Sequence, residues 1–551
     1  MNGGVPGGDL LTPEHTFVSY EPDRTEPLHR PRTIENRLWE AMNRARRIAS
    51  PWLPPAPITA SRGRPAPASG SPRGPPGDPD SPGRAGAIGD EVHARMAVTL
   101  PRRSAAPRLR IWRVRKPLME KLVIHGGVPL SGTVVPAGNK NSALPILAAS
   151  VLTADEVHVA NVPRIRDVDA MLEILDAIGV RVQWIADHEV LLCAADVQAT
   201  SLERSLSEQI RASFLLAGPL LARFGRAEMP PPGGDVIGRR RLDPHLDGFR
   251  ALGATIAHGR DVLLTAPDGL RAGDVFMDEP SVMATENVLM AAALTPGATV
   301  IGNAASEPHV QDLARMLVKM GADIQGIGSN LVTVNGVERL AGASHVVAPD
   351  HIEIGSFMAL AGVTGGELWV KDTIPGDLRM IRLVFGQLGL ETQIHGNDIL
   401  VPGGQRLVVK SDYGDYKRKI QDGPWPAFPA DLTSIAVAMA TQSEGSVLIH
   451  EWMFENRLIF TDKLTGMGAD IVLCDPHRAI VTGPRRMRGE RLESPDIRAG
   501  MAMLMAALCA EGRSEIGNVR QIDRGYERID ERLRELGARI ERVATEPAVA
   551  V

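Results

Sequence analysis

Residues 168–184 read VDAMLEILDAIGVRVQW. Val168, Met171, Leu172 and Leu175 recur at the three- and four-residue spacing of a helix with one apolar face. Ile178 and Gly179 then end the periodicity, and glycine is the natural residue for the left-handed turn that closes a helix. Arg181 to Trp184 alternates polar and apolar, which predicts a strand. The same apolar–Gly–apolar signature returns at Leu252-Gly253-Ala254, Met320-Gly321-Ala322, Leu388-Gly389-Leu390, Met467-Gly468-Ala469 and Leu536-Gly537-Ala538. From first residue to first residue the spacings are 74, 68, 68, 79 and 69. One such tripeptide is weak evidence, but six at near-constant spacing predict internal duplication. Units of about 70 residues are too long for the common solenoids. Each has room for several strands and two helices. The pattern predicts an α/β protein of six repeated units, three per domain, with a ligand cleft between two similar domains.

Outward from this repeat, composition bounds the rest. A chain of 551 residues with 44% hydrophobic and 23% charged residues reads as a soluble globular protein of more than one domain. Aromatic residues are only 4%, so the core falls to aliphatic side chains, methionine and alanine. The longest apolar run, Ala499 to Ala510, is too short to cross a bilayer. No signal-like segment opens the chain, so a cytoplasmic location is expected. Cys193, Cys474 and Cys509 are far apart without metal spacing and read as buried thiols in a reducing compartment.

Residues 1–118 differ from the remainder. They carry 19 Lys and Arg against 11 Asp and Glu, and 19 of the 42 prolines. The stretch PAPASGSPRGPPGDPDSPGR (65–84) has too little apolar surface to offset its ordering entropy. The segment is expected to be a disordered basic extension with a short helix near Ile34–Ile48 and no chemistry of its own. A fresh pattern begins at Met119.

Three segments carry candidate chemistry. Ala137-Gly-Asn-Lys-Asn-Ser-Ala-Leu-Pro145 places Lys140 at a loop-to-helix junction, where backbone donors suit a phosphate or carboxylate; a plain turn with a solvated lysine reads the same way. Residues 230–245, PPPGGDVIGRRRLDPH, set Asp235 between glycine turns with three arginines behind it. Such a loop can move as a lid, and its arginines can clamp an anion. In the last third, acids and arginines stand close together at Asp431, Phe454-Glu-Asn-Arg457, Asp496-Ile-Arg498 and Asp523-Arg-Gly-Tyr-Glu-Arg528. Each is open to reading as a weak exposed ion pair.

Taken in order from Met119 to Val543, these segments resemble the enolpyruvyl transferases, in particular the branch that acts on a sugar nucleotide. The resemblance rests on Gly138-Asn-Lys-Asn-Ser-Ala-Leu-Pro145, Arg211-Ala-Ser213 with Gly218-Pro219, Gly233-Gly-Asp-Val-Ile-Gly238, Phe-Glu-Asn-Arg and Asp-Arg-Gly-Tyr-Glu-Arg. It implies an inside-out α/β barrel in two domains: residues 119–139 with 350–551, and 140–349, the second carrying the mobile loop. It implies transfer of the enolpyruvyl group of phosphoenolpyruvate to the 3'-hydroxyl of UDP-N-acetylglucosamine, with release of phosphate, in peptidoglycan precursor synthesis. The partners are these two small molecules; no cofactor, metal or nucleic acid is implied.

By the same resemblance Lys140, Asn141, Arg240, Arg457, Arg498 and Arg524 hold phosphoenolpyruvate. Arg211, Arg240, Arg241, Leu242, Asp243, Pro244, Ser281, Val282, Asp431 and Met453 contact the UDP-sugar. Asp235 stands at the general-acid position, where many relatives carry cysteine and some aspartate; without a thiol, fosfomycin has nothing to alkylate. Asp431 is the implied base, and Asp496 a third acid near the loop. In Arg418 to Asp431 (RKIQDGPWPAFPAD) the ending fits the family, whereas Ile420-Gln-Asp-Gly-Pro-Trp425 is unusual and bears on acceptor choice. Rival readings are transfer to shikimate 3-phosphate or another nucleotide, and a non-catalytic nucleotide-binding repeat protein.

Overall fold

The structure is a computed structural model that describes residues 119–545. The expectations for residues 1–118, including the helix near Ile34–Ile48, lie outside the described residues.

All six signatures end a helix. The helices Arg166–Ala177, Asp243–Ala251, Pro308–Lys319, Arg379–Gln387, Thr461–Gly466 and Ile529–Glu535 each stop before the apolar–Gly pair. The six glycines have φ between 87° and 107°, a region that L side chains avoid. The strand after each glycine is in every case an edge strand of its sheet. Among the described residues there are six sheets, five of four strands and one of three.

These edge strands leave one of the sequence expectations standing only in part. Cys193 is buried and Cys509 is half-buried, but Cys474 is exposed. It lies on the edge strand Asp470–Asp475, beside the exposed Val472 and Leu473. An edge strand has a neighbour on one side only, and here three consecutive side chains, Val472 to Cys474, meet solvent.

A second set of helices differs from the first. The helices Lys140–Ala149, Val282–Ala293, His351–Thr364, Thr433–Ala440 and Ile497–Cys509 are buried on nearly every face. The apolar run noted at Ala499–Ala510 is one of them. An all-round apolar helix needs neighbours on all sides, and these form the interior, with the amphipathic helices outside. No helix among the described residues is long and apolar enough to cross a membrane.

The apolar side chains form two cores. One holds Leu122 to Val134 and Ile352 to Ile540; the other holds Ala143 to Val347. The chain crosses between them twice, and the strand beside each crossing pairs within its own core. Gly132–Val134 pairs with Leu368–Val370, and Ser344–Val346 pairs with Glu156–Ala160, both in parallel. The first strand, Met119–His125, lies between Arg513–Gly517 and the last strand, Arg539–Thr545.

The interior helices begin where the two cores meet. Asn139, Ser281, Asp350 and Asp496 are the N-cap residues of four of them, and Asp431 lies two residues before a fifth. Their positive ends therefore converge on one region.

Candidate active site

Two adjoining cavities lie there. The smaller, of about 130 Å³, is lined by Lys140, Asn141, Arg211, Asp235, Arg240, Asp431, Arg457, Arg498 and Arg524. The larger, of about 430 Å³, is lined by Arg211, Arg240, Arg241, Ser281, Val282, Asp431 and Met453 among others. Asn141, Arg211, Arg240 and Asp431 line both. The residues singled out in the sequence thus meet in one place, although they are up to 384 positions apart, from Lys140 to Arg524.

Four do not line either cavity. Leu242 packs partly buried against the second core, Asp243 is exposed at the start of its helix, and Pro244 is buried in that helix's first turn. Asp496 caps the helix Ile497–Cys509, accepting from the Arg498 and Ala499 amides at 2.8 and 2.9 Å. Burial raises its carboxyl above the ordinary value, and those amides oppose the rise.

Asp431 stands at the centre. Arg498 donates to its Oδ2 from Nε at 3.2 Å and Nη2 at 3.0 Å, and Arg457 donates to Oδ1 at 3.1 Å. Burial disfavours the charge, yet Arg498, Arg457 and Lys140 outweigh it and hold Asp431 well below the usual carboxylate range. The two arginines are 3% and 4% exposed, so these are not the weak surface pairs that the sequence alone left open. Tyr526 lies under Arg498, 5.3 Å from ring centre to guanidinium carbon, with its hydroxyl 2.9 Å from Ser356 Oγ.

Lys140 and Arg524 meet on a residue that sequence reasoning passed over. Asp167 Oδ2 is 2.7 Å from Lys140 Nζ, and Asp167 Oδ1 accepts from Arg524 Nε at 2.8 Å. Burial opposes its charge, but the two cations lower its pKa. The only signal was its place one residue before the repeat's helical stretch, where an acid at a helix start has an ordinary explanation. Arg524 also donates to Asp235 and to Gln521 Oε1.

The helix at Lys140 differs in one respect from its sequence reading. Its first backbone donors are spent: Asn141 N and Ser142 N donate to Asn139 Oδ1 at 2.8 and 3.3 Å. What remains for an anion is the lysine and the helix dipole.

The Gly-Gly-Asp loop is docked at both ends. Gly233 lies against the Glu208 carbonyl so closely that a Cβ would stand 1.7 Å from its oxygen. At the other end Glu455 Oε2 accepts from Arg239 N at 3.1 Å, and Asn456 N donates to Ile237 O at 3.0 Å. A Cβ at Gly238 would meet the same Glu455 carboxylate. The Phe-Glu-Asn-Arg segment of one core therefore holds the loop of the other, with Arg457 turned inward. Arg211 donates to the carbonyls of Arg240 at 2.7 Å and Arg241 at 3.2 Å; burial, then Arg240, push its guanidinium down to about 10. Arg241 is taken up by Asp278 at 2.7 Å, while Arg240 has no carboxylate within ion-pair distance among the described residues.

The far wall of the larger cavity was also missed. Glu286 and Glu307 line it, and burial raises both carboxyls, Glu286 well above its ordinary value with Glu307 adding to the effect. His309 and His351 stack at 6.0 Å, and burial pushes them down to about 3 and about 4. Trp425 meets His351 edge-on at 6.0 Å.

A cationic chamber joined to a larger one with a far wall of neutral acids and imidazoles, between two cores, defines a class of protein that brings an anion to a second substrate. The sequence matches the profile of EPSP synthase (3-phosphoshikimate 1-carboxyvinyltransferase) over residues 124–533, and the chain belongs to that family of enolpyruvyl transferases. Within it, the chain is 53% identical to the UDP-N-acetylglucosamine 1-carboxyvinyltransferase of Bradyrhizobium diazoefficiens over 76% of this chain and 97% of that one. It is 51% identical to the enzyme of that name from Treponema denticola, over 77% and 99%. The crystal structure of the enolpyruvyl transferase NikO from Streptomyces tendae superposes with a TM-score of 0.68 at 25% identity, covering 78% of this chain and all of that one. EPSP synthase from Acinetobacter baumannii shares the fold, with a TM-score of 0.60 at 19% identity over 77% of this chain and all of that one.

Proposed function

We propose that this chain is the enzyme that transfers the enolpyruvyl group of phosphoenolpyruvate to the 3'-hydroxyl of UDP-N-acetylglucosamine, in the cytoplasm, as a step of peptidoglycan precursor synthesis. The relatives' shared name supports the reaction. The observation that carries the site is Asp431, gripped by two arginines at the junction of the two cavities.

Six cationic side chains line the smaller cavity against three carboxylates. Phosphoenolpyruvate is a polyanion that fits such a chamber, and fixed cations stabilise charge there without reorganising. Lys140, Arg240 and Arg524 take its phosphate, and Arg457 and Arg498 its carboxylate side. The phosphate competes with Asp235 for Arg524, leaving the Asp235 carboxyl to carry a proton. Asp235 gives that proton to the methylene carbon, and the neighbouring carbon becomes cationic. The sugar hydroxyl oxygen bonds to that carbon as Asp431, already ionised, takes its proton. The carbon–oxygen bond to phosphate then breaks as the methyl carbon returns a proton to the Asp235 carboxylate, which restores the double bond and the acid. In this reading residues 119–139 with 350–551 and residues 140–349 are the two lobes that close on the reactants.

Arg418–Asp431 supports a role in acceptor choice. Its Gly423-Pro-Trp425 portion lines the larger cavity, and Trp425 N donates to Glu307 Oε1 at 3.3 Å. Phosphate release from phosphoenolpyruvate, with UDP-N-acetylglucosamine, shikimate 3-phosphate and UMP supplied in turn, tests the function. Release only with the first is expected; release with shikimate 3-phosphate alone, or with none, overturns it.

A further inference from the structure

Behind the smaller cavity lies a second layer of acids that lines neither cavity. The strands Arg418–Gln421 and Gly445–His450 run parallel with Gln421 opposite His450, so the next residues, Asp422 and Glu451, come side by side. They are 2% and 0% exposed. One oxygen of each is satisfied by a backbone amide: Asp422 Oδ1 by Trp452 N, and Glu451 Oε1 by Phe454 N at 3.1 Å. The others, Asp422 Oδ2 and Glu451 Oε2, have no partner, nor do the neighbouring Thr433 Oγ1 and Arg457 Nε. Arg457 Nε stands 3.7 Å from Glu451 Oε2.

Two ionised carboxylates are acceptors only, so side by side they cannot satisfy each other. A single proton between them does. Burial first, and the Asp422 charge with it, push Glu451 up to about 9 against the pull of Arg457.

We infer that Glu451, protonated and hydrogen-bonded to Asp422, is a positioning residue that seats Arg457 for its contact with Asp431 and with the anionic donor. The inference rests on the proposed function for its catalytic readout. Arg457 is then held between one neutral acid and one negative pair member behind it, and Asp431 in front. Loss of the shared proton puts two negative charges behind Arg457 and draws it back from the cavity. The groups that face Glu451 are Asp422, Thr433 and Arg457, with His477 Nδ1 on its backbone carbonyl at 2.7 Å. Beyond Arg457 stand Asp431, Asp496 and Arg498.

The test uses the full chain and the Glu451→Gln, Glu451→Ala and Asp422→Asn variants, assayed by phosphate release from pH 6 to pH 10. Glutamine can donate to Asp422 as the protonated acid does. Glu451→Gln should keep kcat and both KM values within about threefold at pH 7, and lose the alkaline fall expected of the parent near pH 9. Asp422→Asn removes the partner charge and should move that fall to lower pH. Glu451→Ala should raise the KM for phosphoenolpyruvate about tenfold, leaving that for the UDP-sugar little changed. A Gln variant as impaired as the Ala variant, or an unchanged alkaline limb, overturns the inference.

Thermal midpoints separate this from failure of the functional reading. A carboxyl raised in the folded state keeps a proton that the unfolded chain loses above about 4.5. Stability must therefore fall as pH rises toward 9, and fall less in Glu451→Gln. Equal slopes overturn the pair even if the parent protein releases no phosphate.

Discussion

The smaller cavity and the far wall of the larger one hold their buried acids in opposite states. In the smaller one burial is outweighed by opposite charge, so Asp167 and Asp431 stay ionised against Lys140, Arg457, Arg498 and Arg524. In the larger one burial wins, because Glu286, Glu307, His309 and His351 have no strong counter-ion, and acids and imidazoles alike are driven neutral. The same desolvation acts on both. The difference is whether a cation pairs directly with the buried acid, as at Asp167 and Asp431 but not at Glu286 and Glu307. A chamber of fixed charges suits a small polyanion, and a wall of neutral donors and acceptors suits hydroxyl and amide groups.

The most severe test of this division is Lys140→Ala, expected to lower kcat/KM by about a thousandfold or more, since it removes a phosphate-side cation and leaves Asp167 half-neutralised. Steady-state phosphate release measures it, and a loss under tenfold would put the donor elsewhere. Asp235→Cys comes next. The parent enzyme should turn over in the presence of fosfomycin, because a carboxylate cannot form the thioether, whereas the cysteine variant should be inactivated with time; time-dependent inactivation of the parent would contradict the role given to the loop. On the other side of the wall, Trp425→Ala should raise the KM of the UDP-sugar about tenfold and that of phosphoenolpyruvate little, the cost of one lost aromatic contact. Equal effects on both would erase the distinction between the cavities.

The neutral imidazoles make a pH prediction. A histidine whose folded pKa lies below its ordinary 6.5 stays neutral in the fold while the unfolded chain takes up a proton. Stability is thus intact above about 6.5 and lost as pH falls toward 3 for His309 and 4 for His351, at about 1.4 kcal/mol per pH unit for each. His309→Gln should flatten the acid limb of the thermal midpoint. Least affected should be a chain lacking residues 1–118, whose turnover is expected to match the parent's within about twofold, as no site residue falls there.

Much of this was legible in the chain. The six helix-closing glycines could be read because each marks a local backbone need, and local needs write themselves at fixed spacing. Lys140, Asp235, Arg457 and Arg524 stood out because short motifs carry them. Asp167 did not, since its partners are a lysine 27 positions before it and an arginine 357 after it. Nor did Glu451: a lone acid after a strand says nothing until the parallel register with Gln421 puts Asp422 beside it. Leu242 to Pro244 show the reverse, being placed near the ligand by motif and kept outside both cavities by the start of their helix.

Periodicity and glycine spacing alone determined that this protein is a six-times repeated α/β chain, because secondary structure depends on neighbours a few residues away. Which charges survive, which are quenched, and which acids share a proton was decided only by folding, because those outcomes depend on dielectric and on groups hundreds of residues distant. Burial and the counter-charges set against it are properties of the assembled fold, and their balance sets the ionisation state of the groups around both cavities.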